Sequence, residues 1–178
     1  MKITKKQLTE IISKVILKES SSNMPINTNG HLVKYSGILK LVLPQNIVNN
    51  LKSIQLPMNA IRLSDNAIHI TLLHQSAFKD PTLKPQRKII KKSLIPAYDG
   101  PLQFNNNIIH RVDEELGRET WALFVDEQTQ EALEDYVLQF IEMYTPGESQ
   151  RIVDTYDAGR RFHISVANLT GNPGDSVR

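Results

Sequence analysis

Apolar residues recur along this chain with two periods, and the switches between them mark out its elements. Over residues 4–20, Leu8, Ile11, Ile12, Val15 and Ile16 fall at helical spacing. Lys5, Lys6, Glu10, Lys14, Lys18 and Glu19 lie mostly on the other side, which predicts an amphipathic helix within residues 1–20. A run rich in Ser and Asn, with Pro25, reads as a linker over 21–30. Residues 31–178 then read as one domain. The stretch 31–43 is an apolar-rich strand ended by Pro44, and Ile47, Val48, Leu51 and Ile54 predict a short helix over 45–54. Residues 60–73 include a strand, 79–92 form a basic connection broken by proline, and 93–97 carry a strand pattern. Strands at 108–112 and 120–125 flank a turn at Gly117. The clearest helix covers 128–144, with a stripe of Ala132, Leu133, Tyr136, Val137, Phe140 and Ile141 stopped by Pro146-Gly147. A last strand at 161–169 runs into a Gly- and Asn-rich tail. Strand, helix and strand in each half predict an α+β domain, and the weak likeness of the halves predicts a pseudo-symmetric, bilobal sheet.

Two of those strands carry the same chemistry. Ile68-His69-Ile70-Thr71-Leu72 and Phe162-His163-Ile164-Ser165-Val166 are both apolar–His–Ile–hydroxyl–apolar. Side chains alternate along a strand, so each His and the hydroxyl two residues on share one face while the apolar neighbours point to a core. If the strands are neighbours, two imidazoles and two hydroxyls meet. Imidazole, with an ordinary pKa of ~6.5, serves as either acid or base near neutrality. Hydroxyls donate to phosphoryl oxygens as charge develops on them. A single His on a strand is more often a half-buried structural residue; it is the pairing that points to a site.

The paired motifs resemble those of the two-histidine (2H) phosphoesterase superfamily, whose signature is an H-x-[T/S]-x motif in each half of a bilobal domain. The likeness covers residues 31–178, with Ser165 standing where Thr is commoner. It implies a LigT-like α+β fold of antiparallel sheets with flanking helices. It also implies catalysis by His69, Thr71, His163 and Ser165 on a nucleotide phosphodiester, without metal or other cofactor. The relatives it brings in include RNA-end 2′,3′-cyclic phosphodiesterases and viral enzymes that destroy the cyclic oligonucleotide signals of bacterial immunity. A compact chain with a basic helical extension is closer to the viral enzymes, which would place it in the cytoplasm of a bacterial host. A non-catalytic protein that sequesters a nucleotide in the same cleft is the reading from another class. Which His is acid and which is base is not legible in the sequence.

Composition narrows the field. The 178 residues hold no cysteine, which removes disulfides, thiolate nucleophiles and Cys-based zinc sites. No H-E-x-x-H or comparable spacing suggests a metal centre. No apolar run is long enough for a membrane span. A net charge of +2 allows an anionic ligand without requiring one.

Other candidates are weaker. Lys84, Arg87, Lys88, Lys91 and Lys92 make a cationic segment suited to gathering phosphates or simply to solvation. Arg161 alternates with His163 and so joins its face, with Arg160 beside it. Tyr35, Tyr98, Tyr156 and Trp121 are aromatics able to stack on a base or to fill a core. Tyr35, Arg87, Lys88 and Arg161 are the expected substrate contacts. His31 and His110 lack companion motifs, and His74, five residues past His69, is expected on the opposite face. The tail is either a frayed end or a loop over the site.

Overall fold

The computed structural model describes residues 30–177; the anticipated N-terminal helix and nearly all of the anticipated linker lie outside them. Strands β1 (Val33–Tyr35) and β2 (Leu39–Val42) form an antiparallel hairpin. The expected single strand over 31–43 is thus split, because Gly37 takes a left-handed φ of 90° between the two arms. Helix α1 (Gln45–Lys52) follows, then β3 (Ile61–Arg62) and β4 (His69–Leu73). The basic connection is more ordered than expected. It contains short 3₁₀ turns and helix α2 (Arg87–Lys92), which buries Ile90. The pattern at 93–97 forms no strand; Leu94 is 91% exposed, and just beyond the segment Tyr98 and His31 exchange backbone hydrogen bonds of 2.8 and 2.9 Å in an isolated bridge. Strands β5 (Phe104–Asp113) and β6 (Arg118–Val125) pair through the anticipated Gly117 turn.

Helix α3 (Glu127–Tyr144) begins where Asp126 accepts a hydrogen bond from the Thr129 amide at 2.8 Å, an N-cap of the ordinary kind. The sequence reading did not anticipate α4 (Ser149–Tyr156), which has eight residues and only one buried side chain, Ile152. Strand β7 (His163–Asn168) closes the domain. The strands form one antiparallel sheet in the order β1-β2-β4-β7-β6-β5, with β3 also paired to β7. A pseudo-symmetric, bilobal arrangement with antiparallel sheets was expected, and the described strands all belong to one sheet. In it β4 and β7, one from each half of the chain, are direct neighbours and join the halves. The protein is therefore an α+β domain built on a continuous antiparallel sheet with four helices among the described residues.

Alternation decides what each face of that sheet carries. Leu39, Leu41, Ile70, Leu72, Leu123, Val125, Ile164 and Val166 are buried and join Leu133, Val137, Phe140 and Ile141 of α3, Val48 and Leu51 of α1 and Ile152 of α4 in one core. The opposite face of β4 and β7 carries the His and hydroxyl residues, which are only half-buried. Among the described residues, no helix is long and apolar enough to cross a membrane.

Candidate active site

The register across β4 and β7 sets the geometry. Ile70 lies opposite Ile164, both fully buried. Because the strands are antiparallel, His69 then stands across from Ser165 and Thr71 across from His163, all four on the face turned from the core. Each imidazole is thus beside the hydroxyl of the other motif. The rows continue outward: Lys40 of β2 pairs with Thr71, Phe124 of β6 with His163, and Ala122 with Ser165. All four motif residues line one cleft of about 790 Å³, well within the range of small-molecule sites.

Three segments build its walls. The first is the loop after α4, where Tyr156, Asp157, Gly159, Arg160 and Arg161 line the cleft and Gly159 takes a left-handed φ of 66°. Arg160 is held by Asp157 at 2.8 Å. The second is the turn after β4. His74 lines the cleft, contrary to the expectation from its odd spacing. The strand ends at Leu73, so alternation no longer governs the next residue, and the chain turns through a hydrogen bond from the Ala77 amide to the His74 carbonyl. The Nδ1 atom of His74 lies 3.0 Å from the Ser76 hydroxyl.

The third wall is the tail. It is a constructed loop, with Pro173, Gly174, Ser176 and Val177 on the cleft. Fully buried Asn168 organises it: its Oδ1 accepts from the Thr170 and Gly171 amides at 3.1 and 2.6 Å. Its Nδ2 donates to the Asn172 carbonyl at 2.6 Å and the Ser176 hydroxyl at 3.3 Å. The Val177 amide then donates to the buried Thr120 hydroxyl at 2.6 Å, pinning the far end. This is the tail folded beside the site rather than the frayed end.

The two imidazoles differ in environment. His163 Nδ1 lies 3.0 Å from the Arg161 carbonyl, which can only accept. That nitrogen therefore carries the proton, and in the neutral ring the lone pair sits on Nε2. Burial lowers the His163 pKa; the Arg161 carbonyl opposes that effect, and the charges of Arg111 and Arg160 add to it. His69 is shifted further, to about 4, first by burial and then by the nearby charge of Lys40, with a weaker opposing pull from the Ala67 backbone. Its Nδ1 is buried with no hydrogen-bond partner among the described residues. Both shifts favour the neutral ring in the ligand-free protein, and an arriving anion would raise both pKa values by favouring the protonated form.

The remaining expected contacts divide. Arg161 lines the cleft, its guanidinium 5.2 Å from the centre of the Phe124 ring. Tyr35, Arg87 and Lys88 do not line it. Instead Arg87 donates to the Tyr35 hydroxyl at 3.2 Å, and the Tyr35 ring packs on Phe78 at 4.6 Å, so this pair ties α2 to β1. Of the other aromatics, Tyr156 lines the cleft. Tyr98 is buried, with its hydroxyl on the Pro101 carbonyl, and Trp121 is buried against His110. His110 pairs with Glu119 at 2.8 Å, and His31 stacks on Tyr98. The sequence reading missed Arg111, Phe124 and Asp157. Only Phe124 carried a usable signal, since it falls on the outward positions of a strand that otherwise reads as core.

Among the described residues, no three His, Asp or Glu side chains are grouped as a metal-ligand set. Comparison of the chain with protein-family models, with curated proteins and with solved structures finds no match.

Proposed function

We propose that this protein is a 2H-type phosphodiesterase that cleaves a cyclic nucleotide or cyclic oligonucleotide by paired-histidine acid–base catalysis, without a metal. The observation that carries the reading is the cross-strand arrangement of His69 beside Ser165 and Thr71 beside His163 on the open face of a central strand pair. A phosphoryl group seated between the rings would have an imidazole on each side and a hydroxyl next to each. His163, with Nδ1–H committed to a carbonyl, has its Nε2 lone pair available and is assigned as the base that takes a proton from the attacking water. His69 is assigned as the acid. The negative phosphodiester offsets the Lys40 charge and lets His69 hold the proton that it gives to the leaving oxygen as the P–O bond breaks. Thr71 and Ser165 donate to the non-bridging oxygens, where charge accumulates in the transition state. Degradation of a bacterial immune signal by a virus is the setting that this chemistry and the sequence resemblance together favour.

The test is to replace each imidazole. His69→Ala and His163→Ala should each lower kcat by about 10²–10⁴-fold, the usual worth of one acid or base, with circular dichroism unchanged. Near-normal turnover in either folded variant would remove the two-histidine mechanism. Tight nucleotide binding by a wild-type protein that turns over no phosphodiester would favour the sequestering role instead.

A further inference from the structure

Away from the cleft, the outer face of α2 sets lysines and bare aliphatic side chains on one surface. No acidic residue occurs in the sequence between Asp80 and Asp99, and Asp80 is buried and held by Arg151. Lys84, Lys88, Lys91 and Lys92 are all exposed, and none makes an ion pair among the described residues. Of the α2 side chains only Ile90 is buried. With successive residues about 100° apart around a helix, Lys88 and Lys92 then stand opposite the core, Lys91 on one flank and Ile89 on the other. Ile89 is exposed, and so is Leu94, two residues past the helix. Leu94 is held in that position from both sides. Before it, the Ser93 amide and hydroxyl both donate to the Ile89 carbonyl at 2.9 Å. After it, the Pro96 carbonyl accepts from the Tyr136 hydroxyl at 2.6 Å.

A single exposed aliphatic residue is ordinary; two on one fixed segment among unpaired lysines make the composition of an interfacial helix. A nucleic-acid backbone would engage the lysines and leave Ile89 and Leu94 in water. The aromatic ring beside α2 is also occupied, since Tyr35 packs on Phe78 and its hydroxyl accepts from Arg87, which leaves no platform for a base. An anionic lipid surface uses both kinds of side chain: headgroup phosphates meet the ammonium groups, and the aliphatic groups enter the acyl boundary.

We propose that α2 and the residues just after it dock on an anionic lipid surface, with Lys88, Lys91 and Lys92 on headgroup phosphates and Ile89 and Leu94 inserted between them. The inference goes beyond the phosphodiesterase reading and does not rest on it, because none of these residues lines the cleft. The contact is peripheral and needs no spanning helix, of which there is none among the described residues.

The experiment is flotation of the full chain with vesicles of phosphatidylcholine alone, and with vesicles in which phosphatidylglycerol replaces about one-third of it, at low and at physiological salt. Lys88→Gln/Lys92→Gln and Leu94→Ser are measured alongside, with circular dichroism as the check on folding. Anionic vesicles should bind about tenfold or more tightly than neutral ones, and the difference should shrink as salt rises. Lys88→Gln/Lys92→Gln should remove most of that difference. Leu94→Ser should weaken binding about threefold or more and leave its salt dependence as it was. No preference for anionic vesicles, a preference that survives loss of both lysines, or binding indifferent to Leu94→Ser would overturn the proposal. So would release from the vesicles by mixed-sequence duplex DNA at a phosphate concentration below that of the lipid, which would make the face a nucleic-acid contact instead.

Discussion

His69 and His163 share a face of the sheet but not an environment, and the difference can be measured. Burial pushes both imidazoles below the ordinary histidine pKa, and the Lys40 charge takes His69 further, to about 4. Titration of the ring protons by NMR should therefore give both residues midpoints under ~6.5, with His69 the lower. Lys40→Met removes a like charge, so the His69 midpoint should rise toward 6.5 while that of His163 moves less. A His69 midpoint at or above 6.5 in the wild type would contradict the buried, cation-facing placement. That His69, Thr71, His163 and Ser165 share one face was readable from the sequence because a two-residue strand period forces each His and hydroxyl onto one side. The Arg161 carbonyl on His163 Nδ1 was not readable, since a main-chain contact leaves no mark in residue type.

At the scale of elements, two structures outside the strands hold the walls of the cleft in place. One is the pair of Asp80 and Arg151. Asp80 is 1% exposed and receives both guanidinium nitrogens of Arg151, on α4, at 2.9 and 3.1 Å. Hydrogen bonds from Arg151, and then from Thr82, hold its carboxyl far below the usual range. Its folded pKa is depressed, so its contribution to stability is complete above the unfolded value of ~3.9 and is lost as pH falls below it. Asp80→Asn should cost about 1–3 kcal/mol in urea unfolding at pH 7, with the half-exposed Arg151 keeping the figure toward the lower end. It should also flatten the decline of stability in acid; an unchanged midpoint would show that the pair contributes nothing. The other structure is the Asn168 loop. Asn168→Ala removes the four hydrogen bonds of a buried side chain, the acceptor shared by the Thr170 and Gly171 amides among them, and should cost about 1–3 kcal/mol and lower kcat more than it raises KM as the tail wall shifts. Identical kinetics would mean that the tail is only a neighbour of the site. Helix α3 and strands β4, β6 and β7 were legible because each has a strong period. Helix α4 was not, being short, largely polar and fixed by a partner 71 residues away in sequence. The pattern at 93–97 failed in the opposite sense: Pro96 has no N–H to give a ladder, so apolar residues on either side of it make no strand.

At the scale of the whole molecule, the two halves of the chain each supply one strand with a His and a hydroxyl, and the sheet sets those strands side by side. The segment carrying Lys84, Arg87, Lys88, Lys91 and Lys92, which the sequence offered as a phosphate collector, lies away from that junction and does not line the cleft. The cations that do line it come from β5 and from the loop before β7, brought in by topology rather than by local clustering. A linear reading finds a run of lysines easily and finds three arginines spread over 111–161 only once the fold is known. The most direct test of the central claim is turnover itself. The wild-type protein is incubated in EDTA with cyclic mono-, di- and trinucleotides and with an RNA ending in a 2′,3′-cyclic phosphate, and phosphorus NMR follows the reaction. The expected result is conversion of a cyclic di- or trinucleotide phosphodiester to an opened product, undiminished by the chelator. No conversion of any phosphodiester, or conversion that stops in EDTA and returns with added metal, would contradict it.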